Sequence, residues 1–224
     1  MTANLRRFLD KIERGEFALG GCVSFADAAV TEVVAAAGFD FVFIDGEHSE
    51  FDREEAIHHV MATHGTNCAS FYRVPSAAPE YLQGALRAAA DGIIVPMVMN
   101  AEEAESAIRG MKGKCWSILQ LEHIDAYRDL DRILKVPGLD SILIGPFDFS
   151  TSMGKPGQWD DPEVRAVFDD ACRRIRAAGI TLGVSLDVRQ REWRARGAEY
   201  MAVKGDATAL LERFRQVISE LKEL

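Results

Sequence analysis

The segment FVFIDGEHSEFD, residues 41–52, runs a short apolar stretch into two carboxylates and an imidazole. His48 follows Asp45 by three residues, a spacing at which the carboxylate can orient the imidazole and favour its protonated form. Three further apolar runs end in groups able to do chemistry. ASFYRV delivers Arg73, WSILQLE delivers Gln120 and Glu122, and SILIGP leads into GPFDFS with Phe147 and Asp148. Glu122 and Asp148, with water and substrate oxygens completing the shell, make a hard six-coordinate site for Mg²⁺, Mn²⁺ or a similar divalent ion. Arg73 offers a planar fork of donors suited to a carboxylate or an oxo group. Taken singly, each has a plainer role: an acid can cap a helix, an arginine can bridge to a loop, a histidine can pack. Their gathering at matching positions is what argues for a site.

Other features carry less. Lys204 ends the run YMAVKG and could form a Schiff base if desolvated, but no partner pattern surrounds it. Gly183 and Gly205 stand where barrels often hold phosphate, two glycines without a glycine-rich cradle. The cysteines Cys22, Cys68, Cys115 and Cys172 are far apart, with no CxxC pair to hold zinc or cycle a disulfide.

The elements that must position these groups alternate along the chain. Strand patterns fall at residues 21–25, 40–45, 69–74, 92–97, 116–122, 141–146, 181–186 and 200–205. Helical patterns follow at about 27–37, 53–64, 79–90, 101–110, 125–135, 163–178, 188–196 and 207–222. The strands are apolar through most of their length, as parallel strands covered by helices must be. Eight strand–helix units predict a (β/α)8 TIM barrel of the α/β class. An open doubly wound sheet is the alternative, but a GxGxxG turn is absent. The prediction is one domain over residues 1–224, with an N-terminal helix over 1–16 and the last helix over 207–224. Catalytic groups in such barrels sit at the C-terminal ends of the strands, where Asp45, Arg73, Gln120, Glu122 and Asp148 fall.

Composition narrows the function. Of 224 residues, 48% are hydrophobic, enough for a core without disulfides or structural metal. The net charge of −9 argues against nucleic acid or an anionic membrane as partner. The first 17 residues are charged and amphipathic without an apolar signal core, and no run approaches the roughly 20 apolar residues of a membrane span. A reduced, cytoplasmic protein is expected.

With these residues in view, the sequence resembles the HpcH/HpaI aldolases, metal-dependent pyruvate aldolases of the class II type. The matching segments are AAAGFDFVFIDGEHSEFD, FYRVPS, GIIVPMVMNAEEAESAI, ILQLEH, LDSILIGPFDFSTSMGKPGQWDDPEV and YMAVKGDATALL. The resemblance implies a lyase that makes or cleaves a C–C bond beside a 2-oxo acid through a metal-stabilised enolate. It implies Glu122 and Asp148 as ligands of Mg²⁺, Mn²⁺ or Co²⁺, and Arg73 on the pyruvate oxo oxygen. His48 is implied in acid–base steps with Asp45 as its partner, and Gln120 near metal and substrate. The backbone amides of Phe147 and Asp148 are implied as receivers of the pyruvate carboxylate. A homo-oligomer, hexamer or trimer, is also implied, with the last helix packed on a neighbouring subunit.

Three departures stand out. A segment of about thirty residues that shapes the mouth and acceptor pocket in the family is missing before the fifth strand, where RGMKGKCWSILQ passes almost directly across. Arg87 and Ala89 stand in LRAAADG where the family has an acid and a glycine, and Lys204 replaces a small residue. Oxaloacetate-type decarboxylation, a citrate lyase β-subunit-like lyase, and a barrel without catalysis are the alternatives.

Overall fold

The eight apolar runs each form a strand, and the strands close on one another. The computed structural model describes residues 1–49, 52–111, 113–185 and 187–222. Its strands are β1 (Ala18–Val23), β2 (Phe41–Asp45), β3 (Ala69–Arg73), β4 (Gly92–Val95), β5 (Trp116–Leu121), β6 (Ser141–Ile144), β7 (Thr181–Val184) and β8 (Tyr200–Gly205). They pair in parallel in sequence order, and β8 returns to β1, so the barrel is closed and the (β/α)8 expectation holds.

The helices are α1 (Ala3–Glu13), α2 (Ala29–Ala36), α3 (Arg53–Thr63), α4 (Pro79–Arg87), α5 (Ala101–Met111), α6 (Ile124–Arg128), α7 (Leu130–Ile133), α8 (Pro146–Ser152), α9 (Pro162–Ala177), α10 (Gln190–Ala195) and α11 (Asp206–Lys222). Two differ from expectation. The helix expected over 125–135 is broken into α6 and α7 at Asp129, whose carboxylate accepts the Ala101 N–H at 2.8 Å. The short helix α8 was not foreseen. Leu186 of the expected seventh strand, and Glu223 and Leu224 of the expected last helix, lie outside the described residues, as do Glu50 and Phe51 of the opening segment.

Strand alternation sorts the core into two layers. One buried set, including Phe41, Phe43, Phe71, Ile94, Trp116, Ile118, Leu143 and Tyr200, packs with Leu5, Phe8 and Ile12 of α1. The other, including Val42, Ile44, Tyr72, Ile93, Leu119, Ile142 and Val184, packs with the outer helices. Phe8 lies 4.9–5.6 Å, ring to ring, from Phe41, Phe71, Trp116 and Tyr200, so α1 plugs one end of the barrel. A period of two then fixes what the other end presents. Asp45 is in phase with Phe41 and Phe43, Arg73 with Phe71, and Gln120 and Glu122 with Trp116 and Ile118. The same alternation that fills the barrel with rings brings these four polar groups to its open end.

Candidate active site

β2 and β3 are in register at their ends, with Asp45 opposite Arg73. The buried Asp45 carboxylate accepts Arg73 Nε at 2.9 Å and Nη2 at 2.7 Å, a bidentate pair that fixes the guanidinium plane. Asp45 Oδ1 also accepts the backbone N–H groups of Glu47 (3.1 Å) and His48 (3.2 Å), shaping the loop that carries the imidazole. Gly46 is needed for this: a Cβ there would lie 2.6 Å from the Tyr72 ring and 2.8 Å from the Arg73 carbonyl oxygen.

The remaining donors of Arg73 turn to the barrel axis. Nη1 lies 2.8 Å from Glu47 Oε2 and 3.5 Å from Gln120 Oε1, and the guanidinium carbon stands 5.2 Å from the Phe43 ring centre. The Glu47 contact is an ion pair without hydrogen-bond alignment, since Oε2 is buried and accepts no hydrogen bond. Burial would lower the Arg73 pKa, but Asp45, then Glu47 and Glu122, hold it above the ordinary value. Arg73 is therefore a permanent cation in a dry setting.

Glu122 extends past β5 and is buried. Its Oε1 accepts the Met97 N–H at 2.7 Å, and its Oε2 accepts the Gln120 side-chain amide. Met97 adopts φ 54°, the left-handed region that non-glycine residues enter at a cost, in the loop that supplies this N–H. On the other side Gly145 permits close approach, because a Cβ would come 3.2–3.3 Å from Glu122 atoms. Burial pushes the Glu122 carboxyl up to about 7, with the charges of Glu47 and Asp148 adding to the effect. Glu47 is raised too, again mainly by burial.

Phe147 and Asp148 occupy the first turn of α8, where backbone N–H groups lack intrahelical acceptors and Gly145 has no side chain to cap them. A cavity of about 380 Å³ joins this turn to the site, lined by His48, Arg73, Gly145, Pro146, Phe147, Asp148, Trp159 and Ser185. A larger cleft of about 600 Å³ lies around Met1, Leu86, Asp91 and Trp116, at the end plugged by α1 and away from the ionisable strand ends.

The structure thus brings Asp45, Arg73, Gln120 and Glu122 into one hydrogen-bonded chain and sets Phe147, Asp148 and His48 on the adjoining cavity wall. One pairing differs from the sequence reading. Asp45 is committed to Arg73 and to the loop backbone. The carboxylate beside the exposed His48 imidazole is Glu47, with Oε2 3.7 Å from Nε2. Glu47 was within reach of sequence reasoning as the carboxylate next to His48, while Trp159 and Ser185 gave no such signal. At β8, Lys204 is half-exposed and paired with Glu212 of α11, which removes the Schiff-base reading. Asp206 is buried and accepts the Ser24 N–H (2.8 Å), Ser24 Oγ (2.7 Å) and the Phe25 N–H (3.0 Å), so it ties down the β1–α2 loop.

Four carboxylates, Asp45, Glu47, Glu122 and Asp148, face one guanidinium here, a surplus of negative charge that a divalent cation would offset. Among the described residues no group of three or more His, Cys, Asp or Glu could hold a metal ion. Glu122 and Asp148 are at most two carboxylate donors, so a hard ion held there would draw the rest of its shell from water and substrate oxygens.

Comparison with known proteins agrees with this geometry. Residues 22–211 match the family profile described as HpcH/HpaI aldolase/citrate lyase. The chain is 30% identical to a hydroxypyruvate/pyruvate aldolase of Roseovarius nubinhibens, covering 98% of each chain. It is 30% identical to a 4-hydroxy-2-oxovalerate aldolase of Rhodococcus jostii, covering 97% of this chain and 99% of that one. The Roseovarius alignment runs over 252 positions against 224 residues, so the relative has residues at 28 or more positions where this chain has none. The structure of an HpcH/HpaI aldolase from Desulfitobacterium hafniense superposes with a TM-score of 0.87 at 24% identity, covering 96% of both chains, which speaks to the fold.

Proposed function

The chain belongs to the HpcH/HpaI aldolase/citrate lyase family, and from that premise we propose that it is a lyase that makes or breaks a carbon–carbon bond beside the 2-oxo group of a pyruvate-type acid. The observation that carries this reading is Arg73: a buried guanidinium, oriented by a bidentate carboxylate, on the wall of a cavity at the open end of the barrel.

The substrate carboxylate is received by the backbone N–H groups of Phe147 and Asp148, which also fixes the acid's orientation. Arg73 donates to the 2-oxo oxygen. That hydrogen bond strengthens as the oxygen gains charge, and burial keeps it from being diluted by water. Asp45 holds the guanidinium plane, so little reorganisation accompanies the reaction. In cleavage, His48 accepts the proton of the 4-hydroxyl, the C3–C4 bonding pair moves into the enolate, and the aldehyde departs. Protonation at C3 then gives the 2-oxo acid. Glu122 and Asp148 would hold a divalent ion (Mg²⁺, Mn²⁺ or Co²⁺) that, when bound, supplies Lewis acidity to the substrate oxygens. Gln120 and the Met97 N–H fix both oxygens of Glu122.

Turnover of oxaloacetate by metal-stripped protein, before and after addition of each ion, tests this. Ion-dependent release of CO₂ supports the reading, and no turnover with any ion favours the barrel without catalysis.

The assembly belongs to the same proposal. α11 presents Leu210, Leu211, Phe214, Ile218 and Leu221, each about half-exposed, along one helix. Four of these, 211, 214, 218 and 221, are spaced by three and four residues, the pattern of a packed helix seam. A homo-oligomer in which α11 lies on a neighbouring copy would cover them. No helix among the described residues is long and apolar enough to cross a membrane. The four cysteines are unpaired, which fits the reducing cytoplasm proposed as the location.

A further inference from the structure

In the reading above, the 2-oxo acid meets Arg73 of β3 and the first turn of α8, which follows β6. Its C2 is trigonal. With the oxygen on Arg73 and the carboxylate on α8, C3 and whatever joins it leave toward the remaining arc of the mouth, from β7 round to β2. Two polar side chains line the cavity on that arc, His48 of the β2–α3 loop and Ser185 just past β7. Strand alternation turns Ser185 inward. Leu182 and Val184 pack outward with the helices, whereas a Cβ on Gly183 would lie 2.1 Å from the Tyr200 ring inside the barrel. Ser185 is two residues on and shares the Gly183 side. Its N–H donates to the Ile144 carbonyl at 2.9 Å, so the ladder with β6 holds as far as this residue. The pairing also gives its height. Arg73 pairs with Ile94, Ile94 with Ile118, Ile118 with Ser141 and Ser141 with Thr181. The tilt of an eight-strand barrel advances a level ring by about one residue per strand. Four strands on from Arg73, the level position is therefore Ser185, on the strand that faces β3 across the closed ring. The side chain is 5% exposed, and among the described residues no hydrogen bond engages its hydroxyl. The oxygen is not sealed off, so it stands open to the cavity as both donor and acceptor.

We infer that Ser185 sets acceptor specificity: its hydroxyl hydrogen-bonds the hydroxyl beside the carbonyl of a small 2-hydroxyaldehyde, while His48 serves the carbonyl oxygen that becomes the 4-hydroxyl. This rests on the lyase reading and names the second substrate class of the same site. The divalent ion and the substrate carboxylate lie on the β5–β6 side in that reading. Ser185 is neutral and both donates and accepts, so the recognition does not depend on the balance of charge at the mouth. An alkyl aldehyde would set a methyl group against the Ser185 hydroxyl and displace the water that otherwise meets it. A mostly buried polar group left unmet disfavours that substrate.

The test is aldol addition of pyruvate, in saturating divalent ion, to glycolaldehyde and to propionaldehyde, which differ by a hydroxyl against a methyl. Ser185→Ala removes the hydroxyl. It should lower the ratio of kcat/KM for glycolaldehyde over propionaldehyde about tenfold, the weight of one net hydrogen bond, through a higher KM for glycolaldehyde. Ser185→Thr returns a hydroxyl and should recover the preference. Exchange of the pyruvate C3 protons in D₂O, which involves no aldehyde, and the unfolding temperature should not move in either variant. Equal effects of Ser185→Ala on both aldehydes, no effect on either, or a wild type that does not use glycolaldehyde overturns the proposal and leaves the lyase reading standing. So does a loss of C3 exchange in Ser185→Ala, which would place the hydroxyl on the 2-oxo acid. Absence of C3 exchange from the ion-loaded wild type would instead overturn the lyase reading itself, and this inference with it.

Discussion

Glu122 offers a perturbation whose size follows from its surroundings. In metal-free protein its carboxyl titrates near 7 against an ordinary 4.5, because burial disfavours the charged form and Glu47 and Asp148 add repulsion. The sign follows directly. Between these two values the folded state holds a proton that the unfolded state has released, so stability falls as pH rises through that window. That displacement corresponds to about 3 kcal/mol of lost stability once pH exceeds 7. Glu122→Gln removes the titration and nearly preserves the shape: its one oxygen can keep the Met97 N–H, and its NH2 is matched once the Gln120 amide turns its own oxygen toward it. Urea unfolding of EDTA-treated protein at one fixed concentration should therefore show the variant within about 1 kcal/mol of wild type at pH 5 and more stable by about 3 kcal/mol at pH 8. Mg²⁺ should then stabilise the wild type and leave the variant where it was. Equal differences at both pH values would refute the buried, uncompensated carboxylate on which the metal site rests.

Three other outcomes follow from the same geometry. Arg73→Lys should lower turnover by about 10² or more, since a point charge replaces neither the fork held by Asp45 nor the donor at the oxo oxygen, as steady-state kinetics will read. His48→Ala should reduce aldol cleavage by roughly 10²–10⁴ and oxaloacetate decarboxylation less, because CO₂ leaves without a proton being removed; equal losses with metal still bound would assign His48 a holding role. Ala89→Gly should raise stability by about 0.5–1 kcal/mol in urea unfolding, because Ala89 sits exposed at φ 58°, where a Cβ is penalised.

The strand–helix alternation made the barrel legible because each crossover strand is apolar on both faces, and counting units then fixed the class. Strand ends marked Asp45, Arg73, Gln120 and Glu122 for the same reason: polar residues must fall where burial stops. What the chain alone could not reveal is register. Asp45 lies opposite Arg73 across two strands, and only that alignment makes the bidentate pair and frees the imidazole for Glu47. The helix α8 was hidden by its length, seven residues being too short to develop a helical period, although Pro146 at its start is an N-terminal mark. The break between α6 and α7 depends on a contact from Asp129 to Ala101, 28 residues away, which no local pattern records. Trp159 was obscure for a similar reason, since its place at the mouth depends on a loop folded back over Phe147 and on Arg189 from beyond the seventh strand.

The central claim is that this barrel mouth enolises a 2-oxo acid. The most direct measurement is proton exchange at C3 of pyruvate in D₂O, followed by NMR with no aldehyde present. The account predicts exchange that vanishes on removal of divalent ions, returns with Mg²⁺, Mn²⁺ or Co²⁺, and falls by about 10² or more in Arg73→Lys. Exchange that is absent from the ion-loaded wild type, or undiminished in Arg73→Lys, would contradict it.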